Sequence, residues 1–297
     1  MRSLLFAPAN SARKMAKALS SGADAVILDL EDSVGEADKP LARRLAVEAL
    51  AQPRSCLAMV RINPLGSPFA LDDLAAVVEA GPDAIVLPKP DSADDVARLG
   101  FYLDALEARA GREIGTTGIL PIATETPLSL FNLGTYAQHR ARLVGLTWGA
   151  EDLPTALGAT TNRGAGGGFS DVCRLARSLC LAGAAGAGVG AFETVFPAFD
   201  DPDALRAYAE RGRAEGFVGM MAIHPNQVDI INRAFAPSAQ EVDRAQAIVA
   251  LFEASPGAGV LALDGAMLDR PHLEQARRVL TRSGGQASTA SEIAPGP

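Results

Sequence analysis

Basic charge, aromatic residues, cysteine and long apolar runs are all scarce in this sequence, and each scarcity excludes a class of function. Lys and Arg total 27 against 35 Asp and Glu, a net charge of −8. A protein that grips phosphates along a nucleic acid needs a basic face, so no nucleic-acid partner is expected. Aromatic residues make up only 5%, too few for a base-stacking platform. The three cysteines, Cys56, Cys173 and Cys180, are odd in number and scattered. They form no disulfide framework and suit a reducing compartment. No apolar run approaches the ~18 residues that span a bilayer. The stretch Leu4–Phe6 behind Arg2 is shorter than the secretory h-region of about 7–15 residues. A cytoplasmic protein without membrane contact is the expectation.

What remains is ample material for a core: 48% hydrophobic residues in a chain of 297. At about 150 residues per domain the chain could hold two, but one α/β barrel of about 250 fits equally. Eight short apolar runs recur at Leu4–Ala7, Ala25–Leu28, Leu57–Ile62, Ala84–Leu87, Gly118–Ile122, Leu143–Thr147, Phe192–Val195 and Val218–Ile223. Each is nearly continuous, as expected of strands buried on both faces of a parallel sheet. Between them, segments such as Ala12–Ser20, Leu41–Leu50, Leu71–Ala80, Ala93–Arg109 and Val172–Ala182 carry apolar residues at helical spacing. The alternation predicts a (β/α)8 TIM barrel over residues 1–235, with a doubly wound open sheet as the alternative. A C-terminal helical extension follows over 236–282. Ser238–Ala254, opened by a Ser238/Glu241 capping box, and Arg270–Arg282 are its helices, joined by a Gly- and Ala-rich piece, Ser255–Asp269. The tail, 283–297, has the composition of a disordered segment.

Chemistry in such a barrel sits at the C-terminal ends of the strands. The runs end in Pro8-Ala9-Asn10 with Arg13, Lys14 and Lys17 beyond, in Asp29-Leu30-Glu31-Asp32, in Arg61-Ile62-Asn63, and in Pro88-Lys89. The later ends are Glu125, Glu151-Asp152, Glu193 and His224-Pro225-Asn226. Glu125 and Asp152 follow neighbouring strands with no Cys or His beside them, which suits Mg²⁺, an ion that keeps water or substrate oxygens as further ligands. Alternatively each caps a helix or pairs with a loop arginine. Arg61 closes a buried strand and needs an anion, either substrate or an internal partner, Asp29 or Glu31. Asp29, Glu31 and Asp32 crowd one loop, as supports for a cation's waters or as helix caps. Arg13, Lys14 and Lys17 form either a phosphate site or a solvated helix face. His224 reads as a ligand, a base or a hydrogen-bonded structural residue. The run of glycines at Gly164 and Gly166–Gly168 lacks the setting of a dinucleotide or P-loop site and reads as an active-site flap or a linker.

These motifs, in this order, resemble the citrate lyase β-subunit-like family of the HpcH/HpaI aldolase superfamily, and are similar to malyl-CoA and citramalyl-CoA lyases. The matching residues are Arg2-Ser3-Leu4-Leu5-Phe6 with Pro8 and Asn10, Gly22–Asp32, Lys39, Ala42-Arg43, Arg61-Ile62-Asn63 and Leu87-Pro88-Lys89. They continue with Glu125-Thr126-Pro127, Gly149–Leu153 and Ile223–Gln227. The resemblance implies a homotrimeric (or hexameric) barrel that cleaves or forms C–C bonds next to a thioester. It implies Mg²⁺ on Glu125 and Asp152, with Glu125 also facing substrate, and the substrate's acid group or thioester carbonyl on Arg61. Coenzyme A falls near Phe6, Arg13 and Lys17, and Glu31 and Asp32 join the catalytic set. Asp269, in Met267–Pro271, reaches a neighbouring subunit as acid/base, with Asp264 the competing carboxylate. The chain departs from the pattern at Ala9, where many relatives have glycine, and in the Gly-rich 160–170 loop. The implied activity is a Mg²⁺-dependent cleavage of a β-hydroxyacyl-CoA, of the malyl- or citramalyl-CoA type, to acetyl-CoA and a 2-oxo acid. The alternatives are a citrate lyase β subunit acting on a carrier-protein thioester with partner subunits, a malyl-CoA thioesterase, an aldolase acting on free aldehydes, and a non-catalytic CoA-binding barrel.

Overall fold

The structure, a computed structural model, describes residues 1–284. Eight strands form one parallel sheet: β1 (Ser3–Pro8), β2 (Ala25–Asp29), β3 (Leu57–Arg61), β4 (Ala84–Leu87), β5 (Gly118–Pro121), β6 (Leu146–Thr147), β7 (Ala191–Glu193) and β8 (Gly219–Ala222). Their order, β5-β4-β3-β2-β1-β8-β7-β6, is circular. Bridges between Ile119 and Leu143 and between Ile122 and Thr147 join its two ends. Helices α1 (Ala12–Leu19), α2 (Lys39–Leu50), α3 (Ala70–Val77), α4 (Ala93–Arg109), α5 (Ser129–Asn132), α6 (Asp152–Ala156), α7 (Asp171–Ala187), α8 (Pro202–Glu215) and α9 (Asn226–Ala234) alternate with the strands. The chain is thus a (β/α)8 barrel, the first of the two architectures that the alternation allowed.

Side chains alternate across each strand, which divides the apolar residues into two layers. Leu4, Ile27, Met59, Val86, Leu120, Phe192 and Met221 fill the inside of the barrel. Leu5, Val26, Leu28, Val60, Ile85 and Met220 face the helices. Local chemistry sets the helix ends. Ser11, Ser92 and Asp201 cap α1, α4 and α8 by accepting from Lys14, Asp94 and Ala204 N–H groups. Gly188, at φ 73°, ends α7 in the left-handed conformation. The sixth strand is shorter than its apolar run, and Gly145 just before it packs directly against the Phe192 ring, where a Cβ would lie 2.4 Å from the ring edge.

The chain divides into two compact units, Met1–Phe235 and the part from Ala236 on. The second unit holds α10 (Ala239–Glu253), a hairpin of β9 (Val260–Leu263) and β10 (Ala266–Asp269), and α11 (Arg270–Gly284). The Ser238/Glu241 capping box is present. The hairpin corrects the reading of Ser255–Asp269 as a mere joining piece. Asp264 and Gly265 turn it with φ of 52° and 78°, the pair of positive angles that a tight hairpin requires. Of the expected disordered tail, 283 and 284 close α11, and the rest lies outside the described residues. No described helix is long and apolar enough to cross a membrane.

Candidate active site

Strand register builds the mouth of the barrel. Asp29 and Arg61 are partners across β2 and β3, two residues beyond Ile27 and Met59, so both point inward above the apolar filling. Phe6 on β1, two residues beyond Leu4, also points inward, one layer lower and level with Ile27. Arg61 grips Asp29 with both forks, Nε to Oδ1 and Nη2 to Oδ2 at 2.7 Å each. Its guanidinium carbon lies 4.9 Å from the centre of the Phe6 ring. Burial alone would push the Asp29 carboxyl up, but the Arg61 guanidinium holds it below its ordinary value. Asp29 also accepts from the Glu31 and Ser33 N–H groups at 2.9 and 3.1 Å. From beneath, the buried Lys39 ammonium donates to the carbonyls of Leu30, Glu31 and Val34. The loop that carries Glu31 and Asp32 is therefore fixed on both sides.

Glu31 and Glu125 are 4% exposed and poorly satisfied. Arg61 Nη1 lies 2.8 Å from Glu31 Oε2, but not in hydrogen-bonding geometry, and that oxygen has no hydrogen-bond partner. Glu31 Oε1 meets the Lys89 ammonium. Burial outweighs both cations and raises the Glu31 carboxyl. Glu125 Oε2 accepts from the Lys89 backbone N–H at 2.8 Å. Burial, and then the charges of Asp152 and Glu31, push Glu125 well above the ordinary carboxylate value. Room for its carboxylate depends on Gly149, where a Cβ would stand 2.8 Å from Glu125 Cγ and 3.0 Å from Oε1. Asp152, half-buried at the start of α6, lies 3.3 Å from Lys89 Nζ, and Asp32 lies 3.7 Å from it. Both Arg61 and Lys89 are held more firmly protonated than usual by these acids, against the effect of burial.

The structure thus gathers Phe6, Glu31, Asp32, Arg61, Glu125 and Asp152 at one end of the barrel. Arg61 takes the internal partners that the sequence left open. Arg13 and Lys17 are exposed on α1, the helix that leaves the same end of β1. Asp269 belongs to the second unit, where its Oδ1 lies 2.6 Å from His272 Nδ1. Asp264 sits at the hairpin turn, 3.9 Å from Arg244. One residue of the strand ends is not where the sequence put it. Glu193 lies beside the inward-facing Phe192 and so faces the helices, not the mouth. There it accepts from Trp148 Nε1 at 2.5 Å, Tyr208 at 2.8 Å and Arg177 Nε at 2.7 Å. His224 has the structural role: its Nδ1 accepts from Asn226 N–H, and its ring stacks on Phe199 at 5.3 Å. The Gly-rich loop forms a tight turn, with Arg163 bridged to Phe169 and Phe169 packed edge-on to Trp148. Lys89 is the residue that the site-by-site reading passed over. Its signals were its position straight after the fourth apolar run and its place in the Leu87-Pro88-Lys89 match.

Five carboxylates, from Asp29, Glu31, Asp32, Glu125 and Asp152, face two cations, Arg61 and Lys89. A buried excess of negative charge, with one Glu31 oxygen met by Arg61 through charge alone and not through a hydrogen bond, suits an added hard cation. Among the described residues no three Asp, Glu, His or Cys side chains are grouped to hold a metal ion by themselves. An ion on Glu125 and Asp152 would complete its shell with water or substrate oxygens, the habit of Mg²⁺.

Comparison with known proteins gives the family. Residues 2–225 match the HpcH/HpaI aldolase/citrate lyase family, and residues 181–285 match a family of C–C bond lyases of the TIM-barrel fold. The chain is 37% identical over 286 residues to the citrate lyase subunit beta of Escherichia coli K12, covering 95% of this chain and 93% of that one. It is 33% identical over 295 residues to a (3S)-malyl-CoA thioesterase of Cereibacter sphaeroides, covering 95% and 94%. Among solved structures it is similar to the protein CitE of Mycobacterium tuberculosis in complex with magnesium, acetoacetate and coenzyme A. That match has a TM-score of 0.78 and 34% identity, and covers 95% of this chain and 98% of that one.

Proposed function

From the premise that the chain belongs to the HpcH/HpaI aldolase/citrate lyase family and is a carbon–carbon lyase, we propose that it cleaves a β-hydroxyacyl-CoA, of the malyl- or citramalyl-CoA type, to acetyl-CoA and a 2-oxo acid with Mg²⁺. The carrying observation is the pair of buried, under-neutralised carboxylates Glu125 and Glu31 beside Arg61 and Asp152. Such a site holds a cation and a carboxylate-bearing substrate together. The similar CitE structure, which contains magnesium and coenzyme A, supports both ligands.

Glu125 and Asp152 would hold the metal, which would supply Lewis-acid polarisation to the bound substrate. Arg61, locked on Asp29, presents its remaining donor edge to the substrate's acid group or thioester carbonyl and offsets charge that develops there. Glu31 and Asp32 order water at the mouth. Arg13 and Lys17 bind the phosphates of coenzyme A, and Phe6 packs near the thioester. When the C–C bond breaks, the β-hydroxyl gives its proton to a carboxylate of the mouth and becomes the oxo acid's carbonyl. The bonding pair passes to the acetyl-CoA carbon as an enolate, and Asp269 of a neighbouring subunit donates the proton that turns it into a methyl group, so no net proton is consumed. This last role makes the working form an oligomer, a homotrimer on the family resemblance, and light scattering of the purified protein checks it.

The identity with citrate lyase β subunits favours a second reading, cleavage of a citryl thioester carried by an acyl carrier protein. The identity with malyl-CoA thioesterases favours a hydrolytic outcome. Two assays separate all three, one on the chain alone and one with a citryl-carrier protein and partner subunits added. The purified chain alone is given malyl-, citramalyl- and citryl-CoA, with and without Mg²⁺. Release of 2-oxo acid with acetyl-CoA is expected. Free CoA with intact hydroxy acid identifies a thioesterase, and turnover only with carrier protein and partner subunits identifies the citrate lyase component. Wild-type turnover by Glu125→Ala at saturating Mg²⁺ removes the metal assignment.

A further inference from the structure

We infer that Lys89 is the resident counter-ion of this mouth: its ammonium holds the carboxylates together in the metal-free protein and is displaced when the divalent cation binds. The inference rests on the reading that Glu125 and Asp152 hold that cation.

One residue reaches four of the five acids. The ammonium touches Glu31 Oε1 and lies 3.3 Å from Asp152 and 3.7 Å from Asp32. The backbone N–H donates to Glu125 at 2.8 Å. The chain is bent to achieve this. Lys89 has φ 51°, one of two non-glycine residues with positive φ among those described. It also precedes Pro90, and a following proline narrows the backbone further. Glycine would hold such a bend without steric cost. A side chain kept there against that strain has a task of its own.

The task follows from charge. Without a cation at Lys89, Glu31, Asp152 and Glu125 repel across a buried space. An ammonium carries a single charge on a flexible stem, and the Lys89 side chain is 28% exposed, so it has solvent to withdraw into. A divalent ion competes for the same oxygens with twice the charge. Lys89 is thus a positioning residue: it keeps the acids in place until the metal arrives, and it tempers how tightly the metal is held.

The test is titration of the intact, chelator-treated protein with Mn²⁺, read by electron paramagnetic resonance, with thermal unfolding alongside. Lys89→Met is expected to bind Mn²⁺ on the order of tenfold tighter or more, since a positive charge about 3–4 Å from the ligand oxygens is gone. Its metal-free form unfolds at lower temperature, and Mg²⁺ restores it by more than the wild-type gain. Lys89→Arg stays close to wild type in both readouts. A merely structural lysine gives the opposite pattern: Mn²⁺ affinity unchanged or weaker, and equal destabilisation with and without metal. That result overturns the inference and leaves the metal site standing. A second measurement needs no variant. The rate at which acetic anhydride modifies Lys89 in the wild type, read by peptide mass spectrometry, is expected to rise with Mg²⁺, and a rate that stays flat or falls overturns the inference. If the wild type binds no Mn²⁺, or Glu125→Gln binds it equally well, the metal assignment fails and this inference fails with it.

Discussion

Two buried acid clusters sit at opposite ends of the barrel and use the same residue types to opposite effect. At the N-terminal end of β5, Glu107 is fully buried and fully satisfied. It accepts from the N–H groups of Gly115 and Thr117 at 2.7 Å each, and Arg142 binds it at 2.7 Å while also reaching Asp104. Burial would raise this carboxyl, but Arg142 and the two N–H donors bring it down to about 2. At the C-terminal mouth, Glu125 is equally buried but accepts one backbone N–H and faces two further acids, so it is driven up. The first arrangement is what stability alone selects. The second is held at a cost, at the end of the barrel where catalysis resides. An acid left short of partners inside a protein marks a place where something else binds.

The sharpest way to break the contrast is to neutralise each acid in turn. Glu125→Gln is expected to lower Mg²⁺-dependent turnover by about a thousandfold or more, the loss of several kcal/mol of metal-assisted stabilisation. Its metal-free unfolding temperature stays level or rises, because like-charge repulsion is relieved. Turnover near wild type, or a clear drop in stability, means that Glu125 is structural like Glu107. Glu107→Ala should do the reverse. Breaking a buried pair and leaving the N–H groups of Gly115 and Thr117 without their acceptor costs about 3–5 kcal/mol, or roughly 10 °C in a chain of this size. Turnover per folded molecule is retained. A calorimetric scan beside a rate assay reads both.

A smaller perturbation sharpens the same comparison from the backbone. Gly149→Ala adds a methyl group 2.8 Å from Glu125 Cγ, and the carboxylate must move. Displacement of a positioned group by part of an ångström is expected to lower turnover by about 10- to 100-fold with little loss of stability. Full activity would show that Glu125 has slack, contrary to a crowded mouth.

The fold was largely legible because parallel strands buried on both faces leave unbroken apolar runs, such as Ala25–Leu28 and Ala84–Leu87. The hairpin of the second unit was not, because its strands are short and half-exposed. Asp264-Gly265, a tight-turn pair, was the signal left unread. At the mouth, position after a strand was enough to bring Arg61, Glu31, Glu125 and Asp152 under notice. It misfiled Glu193, since a strand end has two faces. Phe192 next to it already claimed the inner one, and alternation would have sent Glu193 to the helices. Lys89 escaped because a lysine between two prolines reads as a loop residue. Neither its left-handed backbone nor its reach to four acids is written in the local sequence.

The last and smallest effect is that of pH on the metal-free protein, and here the two clusters pull apart. Glu107, held down to about 2 from an ordinary value near 4.5, stabilises the fold fully above pH 4.5. That contribution is lost as the pH falls from there toward 2, and Asp29, also held low, follows the same course. Glu125 and Glu31, raised above the same ordinary value, bind protons more readily folded than unfolded. Their burden is absent below pH 4.5 and grows as the pH rises through their folded values. The unfolding temperature should therefore peak on the acid side of neutrality. Glu125→Gln should flatten its decline toward neutral pH, and Glu107→Gln its decline toward acid. If both variants flatten the same limb, the clusters are electrostatically alike, and the distinction between a satisfied acid below the barrel and an unsatisfied one above it has no energetic content.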